Sequence, residues 1–493
     1  MSTSPAGSDI LDTPDAGGLV IRGGVFRFAS YVAVVALSII PVAVLTRYLG
    51  VTRFGQYATV ISLVTVASVV TDVGMSALGT REYAVREGAD RDRLMRDLLG
   101  LRVALTLLGV VFATAFAALA GYDAALLAGT VAAALSTVAL VFQHTLCIPL
   151  SAELRIGLMS LLDLVRQALT VVAIIALVLL GAGLFPLLSV TLVVYALLIP
   201  ITARYARGRI SLHVAIHPDR WVQLLRLTVY FSLASAVGAL YAYTAQITTS
   251  LVATPQENGL FAASFRVYVV ATTVPGLLVS GALPLIARAA RDDRTRLAYA
   301  MQRIFEVSLI LGVAAGVGLL AGGQFIINVV AGQHYDGAVV PLHIEGIALM
   351  LSFLVAGWGF ALLSLEEYAA LLAVNAAAFL VSCGLTIGLA PSHGADGAAV
   401  AVLCGEATLL GGYVVAIARR SPELRPRLNV MPKVVLAAVP AVALAVLPAL
   451  PSVARLALAL VVYGLVIVLT RAVPAEVVEI IPRPRRASRT SGV

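Results

Sequence analysis

Long apolar runs separated by short polar segments recur along the chain from residue 26 to residue 470. A bilayer's hydrocarbon core is about 30 Å thick, so a spanning helix needs roughly 20 apolar residues. Backbone groups find no partner in lipid, so each such run must be helical. Fourteen runs are long enough: Phe26–Leu45, Tyr57–Met75, Leu101–Ala120, Ala124–Leu150, Leu161–Leu180, Pro186–Ile201, Leu227–Val252, Leu260–Leu285, Val307–Val330, Val339–Leu363, Ala370–Ile387, Ala398–Ile417, Val434–Leu450 and Val453–Thr470. The pattern predicts an all-α polytopic membrane protein, and an even count puts both termini on one side.

Arginine fixes which side. Arg81, Arg86, Arg91, Arg93 and Arg96 follow span two; Arg204, Arg207, Arg209, Arg220 and Arg226 follow span six. Arg288, Arg291, Arg294, Arg296 and Arg303 follow span eight, and Arg419, Arg420, Arg425, Arg427 and Lys433 follow span twelve. The opposite loops hold only Arg47, Arg53 and Arg455. Cytoplasmic loops carry the positive excess, so both termini are predicted to be cytoplasmic.

A short repeat suggests how the spans group. Phe54-Gly55-Gln56-Tyr57-Ala58 opens span two, and Asn258-Gly259-Leu260-Phe261-Ala262 opens span eight. Copies six spans apart share one orientation, which predicts two six-helix lobes about an axis along the membrane normal. The expected organisation is a disordered polar tail (1–21, with Asp9, Asp12 and Asp15), an N-lobe (22–209), a C-lobe (210–420), two appended helices (421–472) and a basic tail (473–493). Arg483, Arg485, Arg486 and Arg489 in that last tail are placed to attract anionic lipid. Residues 80–99, charged with leucines at helical spacing, read as a surface helix before span three.

Composition narrows the function classes. The chain is 60% hydrophobic and 12% charged, with mean hydropathy +0.99, which leaves little for a soluble catalytic domain. The net charge of +8 sits in short inter-helix loops, where it encodes topology and implies no nucleic acid. A phosphate-binding loop needs Gly-Lys-Ser/Thr, and Lys433, the one lysine, follows Pro432. Cys147, Cys383 and Cys404 lie inside apolar runs and read as packing residues, with no metal site or cofactor implied.

The scarce polar residues inside spans are the candidates for chemistry. Arg266 lies near the start of span eight; intramembrane arginine is costly and faces a cavity or partner, or snorkels to the interface. Glu345 and Glu406, buried by position, and Asp72, near the cytoplasmic end of span two, are candidates to couple a proton or cation. Asp163 and Arg166 share a helix face and read as a local ion pair. Gln143, His144, Gln246, Asn328 and Asn375 each suit a helix-to-helix hydrogen bond and together suggest a hydrated path. Tyr241, Tyr243 and Tyr268 offer stacking faces for sugars, whereas Phe261 reads as part of an interfacial aromatic belt.

Several short motifs then point to a family. Thr46-Arg47-Tyr48-Leu49-Gly50, Phe54-Gly55-Gln56-Tyr57-Ala58, Asp72-Val73-Gly74 and Arg81-Glu82 resemble the first helix pair of the Wzx-like polysaccharide flippases. These belong to the superfamily that also holds the MATE exporters and the peptidoglycan lipid flippase. Asn258 through Arg266, Gly332-Gln333-His334-Tyr335 and Gly394-Ala395-Asp396-Gly397-Ala398-Ala399 resemble later family motifs, in order, and Pro284 falls where their span eight ends.

The resemblance implies a MATE-like fold in a bacterial inner or plasma membrane. It also implies translocation of polyprenyl-diphosphate-linked oligosaccharide to the outer leaflet by alternating access, for cell-surface polysaccharide synthesis. Implied partners are the lipid-linked glycan, membrane lipids, and glycosyltransferases or a polymerase of the same pathway. Substrate binding is expected at Arg266, Arg47, Tyr268, Tyr241 and Gln246, and coupling at Glu345, Glu406 and Asp72. The competing readings are a cation-coupled small-molecule exporter and a membrane glycosyltransferase or polymerase. The latter needs charged outer loops, whereas Asp123, Glu257, Asp336 and Asp396 read as scattered.

Overall fold

The computed structural model describes residues 16–72, 74–153, 155–207, 216–292, 294–447 and 450–473, with side chains left aside at 16–32, 77, 156, 227–231 and 280–292. Most of both expected tails, including the acidic residues of the first and the arginines of the second, lies outside the described residues, as does Arg209. The side chains of Pro284, Arg288 and Arg291 lie outside them too.

Every regular element described is helical. In chain order they are α1 (Ala16–Asp72), α2 (Met75–Val85), α3 (Gly88–Leu119), α4 (Ala124–Ala152), α5 (Ile156–Leu179), α6 (Leu184–Ala206), α7 (Pro218–Val252), α8 (Pro255–Asp292), α9 (Arg294–Val330), α10 (Val339–Ser364), α11 (Tyr368–Arg420), α12 (Met431–Ala445) and α13 (Ser452–Leu469). Among the described residues, 11 helices are long and apolar enough to cross a membrane. The chain is a multi-pass membrane protein.

Two loops expected from the sequence are kinks instead. α1 runs through Gly50, whose φ is 69°, and α11 runs through Gly394, whose φ is 52°. Glycine tolerates these left-handed values without a Cβ clash, so one residue turns the chain where a longer loop was expected. α1 also starts at Ala16, which makes residues 16–21 of the expected tail helical. The charged stretch 80–99 is no separate surface helix. Its first part belongs to α2, and its second forms the opening turns of α3, continuous with the apolar run that follows.

Two compact units emerge. The first comprises Met1–Arg266, Asn328–Asp336 and Cys383–Ala398; the second comprises Val267–Ile327, Gly337–Ser382 and Ala399–Val493. They cut across the lobes expected from the repeat, because end segments of α9 and α11 pack onto α1, α7 and α8.

Within the first unit α4 packs on α3 and α6, and α1 packs on α3, α5 and α7. Val60, Leu63, Ala133, Ala134 and Leu188 are buried together there. Small residues let these helices approach, since lipid supplies no hydrophobic drive between them. Within the second unit α12 lays Val434, Ala437, Ala441 and Ala445 against Ala459, Tyr463 and Ile467 of α13. This spacing of three and four residues is one helix face. The Tyr463 hydroxyl donates to the Ile310 carbonyl at 2.8 Å, tying α13 to α9.

Candidate functional site

The motifs around Arg47, Gly55, Gly259, Tyr335 and Ala395 meet at the arginine-poor end of the first unit, whereas Asp72 pairs elsewhere with Arg102. Gly55 and Gly259, the two copies of the repeat, face each other: a Cβ on Gly55 would lie 2.8 Å from the Gly259 nitrogen. A Cβ on Gly259 would lie 2.1 Å from the Val51 carbonyl oxygen. Phe54 meets Tyr335 edge-on with ring centroids 6.3 Å apart, and the Tyr335 hydroxyl donates to the Thr46 carbonyl at 3.2 Å. Thr46 Oγ1 donates to the Val330 carbonyl at 2.9 Å. Arg47 Nη2 donates to the carbonyls of Asn328 at 3.0 Å and Val329 at 2.6 Å. Glu257, in the first turn of α8, accepts from the Ala395 amide at 2.9 Å, where α11 resumes after its kink.

Glu257 and Asp396, far apart in sequence, are therefore neighbours rather than scattered. Just past the Gly394 kink, partial desolvation and then the Glu257 charge raise the largely exposed Asp396 carboxyl above its ordinary range, and His393 opposes them.

Beneath this joint lies a buried polar triad. Gln246 Nε2 donates to Asn258 Oδ1 at 2.8 Å, and Asn258 Nδ2 donates to Thr59 Oγ1 at 3.2 Å. Gln246 is 1% exposed, so it holds α1, α7 and α8 together and does not face a substrate path. Gln143 likewise bonds Thr202 at 3.4 Å. In the second unit, Asn375 bonds the Tyr413 hydroxyl at 2.9 Å. Three of the residues taken together as a hydrated path thus serve helix contacts. Phe261 is fully buried and stacks on Phe265 at 5.2 Å, so it belongs to no interfacial belt.

Deeper in the same unit Asp72 has a partner the sequence reading missed. Arg102 Nη2 donates to Asp72 Oδ1 at 2.7 Å and to Ser76 Oγ at 2.9 Å. The Arg102 side chain is 1% exposed. His144 lies within electrostatic range of this pair and of Asp163 and Arg166. Asp163 and Arg166 form the expected local pair at 3.9 Å, largely exposed on the acid's side.

Arg266 is half-buried, near enough to Tyr57 to act on it electrostatically. Its guanidinium has no hydrogen-bond or ion-pair partner among the described residues. Tyr241 is half-buried on α7.

The second unit holds the other three candidates. The Tyr268 hydroxyl donates to Glu406 Oε1 at 3.0 Å and lies 3.0 Å from Ser352 Oγ. Tyr268 is 5% exposed, so it offers no stacking face and instead holds Glu406. Glu345 is fully buried on α10 and acts electrostatically on Tyr268. Of the eight residues expected to bind or couple, the structure thus brings Tyr268, Glu345 and Glu406 together.

Each unit carries ion pairs among its own arginine-rich segments. In the first, Asp97 is buried between His217 Nδ1 at 2.7 Å and Arg220 Nη1 at 3.0 Å. In the second, Glu306 pairs with Arg303 at 2.7 Å and Glu367 pairs with Arg420. Gln302 exchanges two hydrogen bonds with the Arg427 backbone at 3.0 and 2.8 Å.

Comparison with known proteins gives a consistent picture. The profile of the family described as "Polysaccharide biosynthesis protein" matches residues 20–290. No curated protein sequence matches. Among solved structures, the lipid II flippase MurJ in an inward closed conformation superposes with TM-score 0.76 at 12% identity, covering 92% of this chain and 99% of that one. An inward-facing multidrug resistance MATE family transporter of the MOP superfamily gives TM-score 0.64 at 12% identity, covering 79% and 94%. A MOP superfamily transporter from Pyrococcus furiosus gives 0.55 at 15%, covering 80% and 96%. At these identities the likeness is one of fold.

Proposed function

We propose, for a chain that belongs to the polysaccharide biosynthesis protein family and has the fold of the MOP transporters, that it flips a polyprenyl-diphosphate-linked oligosaccharide from the cytoplasmic to the outer leaflet. The observation that carries this reading is the family match, and coverage agrees with it. The lipid II flippase accounts for 92% of this chain, against 79% for the inward-facing multidrug transporter. That extra length fits the fourteen-crossing reading, and the polysaccharide biosynthesis family match over residues 20–290 supports a lipid-linked glycan over a small-molecule substrate. We read fourteen crossings with both termini cytoplasmic: α1 and α11 cross twice each about Gly50 and Gly394, and α2 is too short to cross.

The physical case is one of desolvation. Glycan hydroxyls cannot enter lipid without losing their hydrogen bonds, whereas a polar cleft replaces them while the polyprenyl tail stays in lipid. An inside-negative potential drives an anionic diphosphate outward with about 2.3 kcal/mol per charge per 100 mV.

Arg266, lacking a protein partner among the described residues, is the anion-binding residue in this reading, and half-buried Tyr241 on α7 is the sugar contact. Coupling falls to Glu406 and Glu345. A buried carboxyl accepts a proton more readily than an exposed one, and Tyr268 and Ser352 orient Glu406 for it. Asp72, committed to Arg102 and Ser76, takes a structural part.

The test is a proteoliposome assay in which labelled lipid-linked oligosaccharide becomes accessible to an external enzyme. Protein-dependent crossing is expected, with Arg266→Ala reducing it at unchanged membrane abundance. Crossing no faster than in empty liposomes would overturn the reading.

A further inference from the structure

A helix leaves its last four carbonyls without intrahelical partners. At the end of α9 three of these, from Asn328, Val329 and Val330, are met by α1: Arg47 takes the first two and Thr46 the third. Arg47 Nη1 also bonds the Ala43 carbonyl at 3.0 Å, within its own helix. The guanidinium thus sits at the negative end of a helix dipole, where a cation is stabilised. It does so while remaining exposed to solvent. Its present partners are all neutral carbonyls. A phosphate oxygen carries a full charge, so a bidentate Arg–phosphate contact adds an ion-pair attraction that a neutral carbonyl does not supply. No buried charge is stranded when the carbonyls are released, because helix-end carbonyls at the surface accept from water.

We propose that Arg47 is a partner-exchange residue: it closes the arginine-poor end on the α9 carbonyls, and it lets go of them to take the diphosphate of the cargo. The proposal rests on the flippase reading for the identity of the anion, and on the structure alone for the cap. It makes opening of this end responsive to the cargo's phosphate.

The experiment reads the joint directly. In a variant with Cys147, Cys383 and Cys404 replaced by alanine, Ala331→Cys places a thiol at a position that is 2% exposed, one residue past α9. The full chain in nanodiscs is labelled with a membrane-impermeant maleimide. Arg47→Gln is expected to speed labelling about tenfold, the loss of a charge-assisted cap. Arg47→Lys keeps the charge without the fork and is expected to fall between. Farnesyl diphosphate is expected to speed labelling when Arg47 is present and to change nothing in the Arg47→Gln protein. The same effect from inorganic pyrophosphate would show that phosphate chemistry suffices without the lipid.

If Arg47→Gln and Arg47→Lys both label like the parent, the cap is refuted. If neither diphosphate acts through Arg47, the exchange is refuted. Arg47-dependent responses in a protein that moves no lipid-linked sugar would instead sink the flippase reading and leave the exchange standing.

Discussion

Gly259→Ala is the most direct test of the joint. The new Cβ would lie 2.1 Å from the Val51 oxygen, 2.6 Å from its carbonyl carbon and 2.7 Å from its Cγ1. A tight C–H···O contact needs about 3.3 Å, so α1 and α8 must part by about 1.2 Å. A backbone carbonyl cannot rotate away as a side chain can. The cost therefore belongs at the upper end of the ~1–3 kcal/mol range for overpacking. Gly259 lies inside α8, so alanine returns about 1 kcal/mol of helix propensity. The net is about 2 kcal/mol against the closed joint, or roughly a 30-fold shift toward the open form.

Labelling through a rare open form tracks its population. In the Ala331→Cys background, Gly259→Ala should raise the maleimide labelling rate by about that 30-fold factor. Gly464→Ala is the control, because no atom lies within 4 Å of its new Cβ. A folded, monodisperse Gly259→Ala protein that labels at the parent rate would refute the close contact as a closing element.

Three further outcomes follow from the geometry. Arg102→Met should lower the melting temperature sharply, since breaking a buried pair costs about 3–5 kcal/mol, and adding Asp72→Asn should restore much of the loss in a thermal-shift assay. An Asp396 carboxyl raised by partial desolvation and by Glu257 disfavours its charged form in the closed joint. That closure is therefore complete below the ordinary aspartate range and weakens as pH rises through the raised value. Relative to a fully exposed cysteine, whose own maleimide reactivity falls with pH, Ala331→Cys labelling should slow further on acidification, and Asp396→Asn should flatten that extra part of the profile. Tyr268→Phe removes the donor to Glu406 and should shift the pH profile of lipid-linked sugar crossing without changing membrane abundance; an unmoved profile would remove Glu406 from coupling.

What the sequence showed, and where it stopped, has physical reasons. The Gly-x-aromatic-Ala repeat was readable as a pair, and its two glycines meet. Periodicity cannot tell a loop from a single-residue kink, so the pattern alone makes Gly50 and Gly394 parts of longer connections. Arg102 was readable in principle: an arginine one residue into an apolar run needs a partner, and Asp72 closes the preceding span. The short α2 between them hid how near the two ends lie. Tyr268 and Gln246 show the opposite limit. Their sequence context suits a substrate platform and a buried donor equally, and only burial at 5% and 1% separates the two.

The two groups of polar contacts differ in what breaking them leaves behind. At the arginine-poor joint the bonds of Arg47, Thr46, Tyr335 and Glu257 all end on backbone groups near helix ends or kinks. Such groups can be handed to water or to a phosphate at little cost. In the second unit Tyr268, Ser352 and Glu406 bond side chain to side chain in a buried site. Separating them strands a carboxyl, and the least costly relief is a proton or cation. A conformational step thus belongs at the joint and an ion-binding step at Glu406. The prediction peculiar to this division is that Arg47→Gln changes the opening of the joint while leaving the pH dependence due to Glu406 in place.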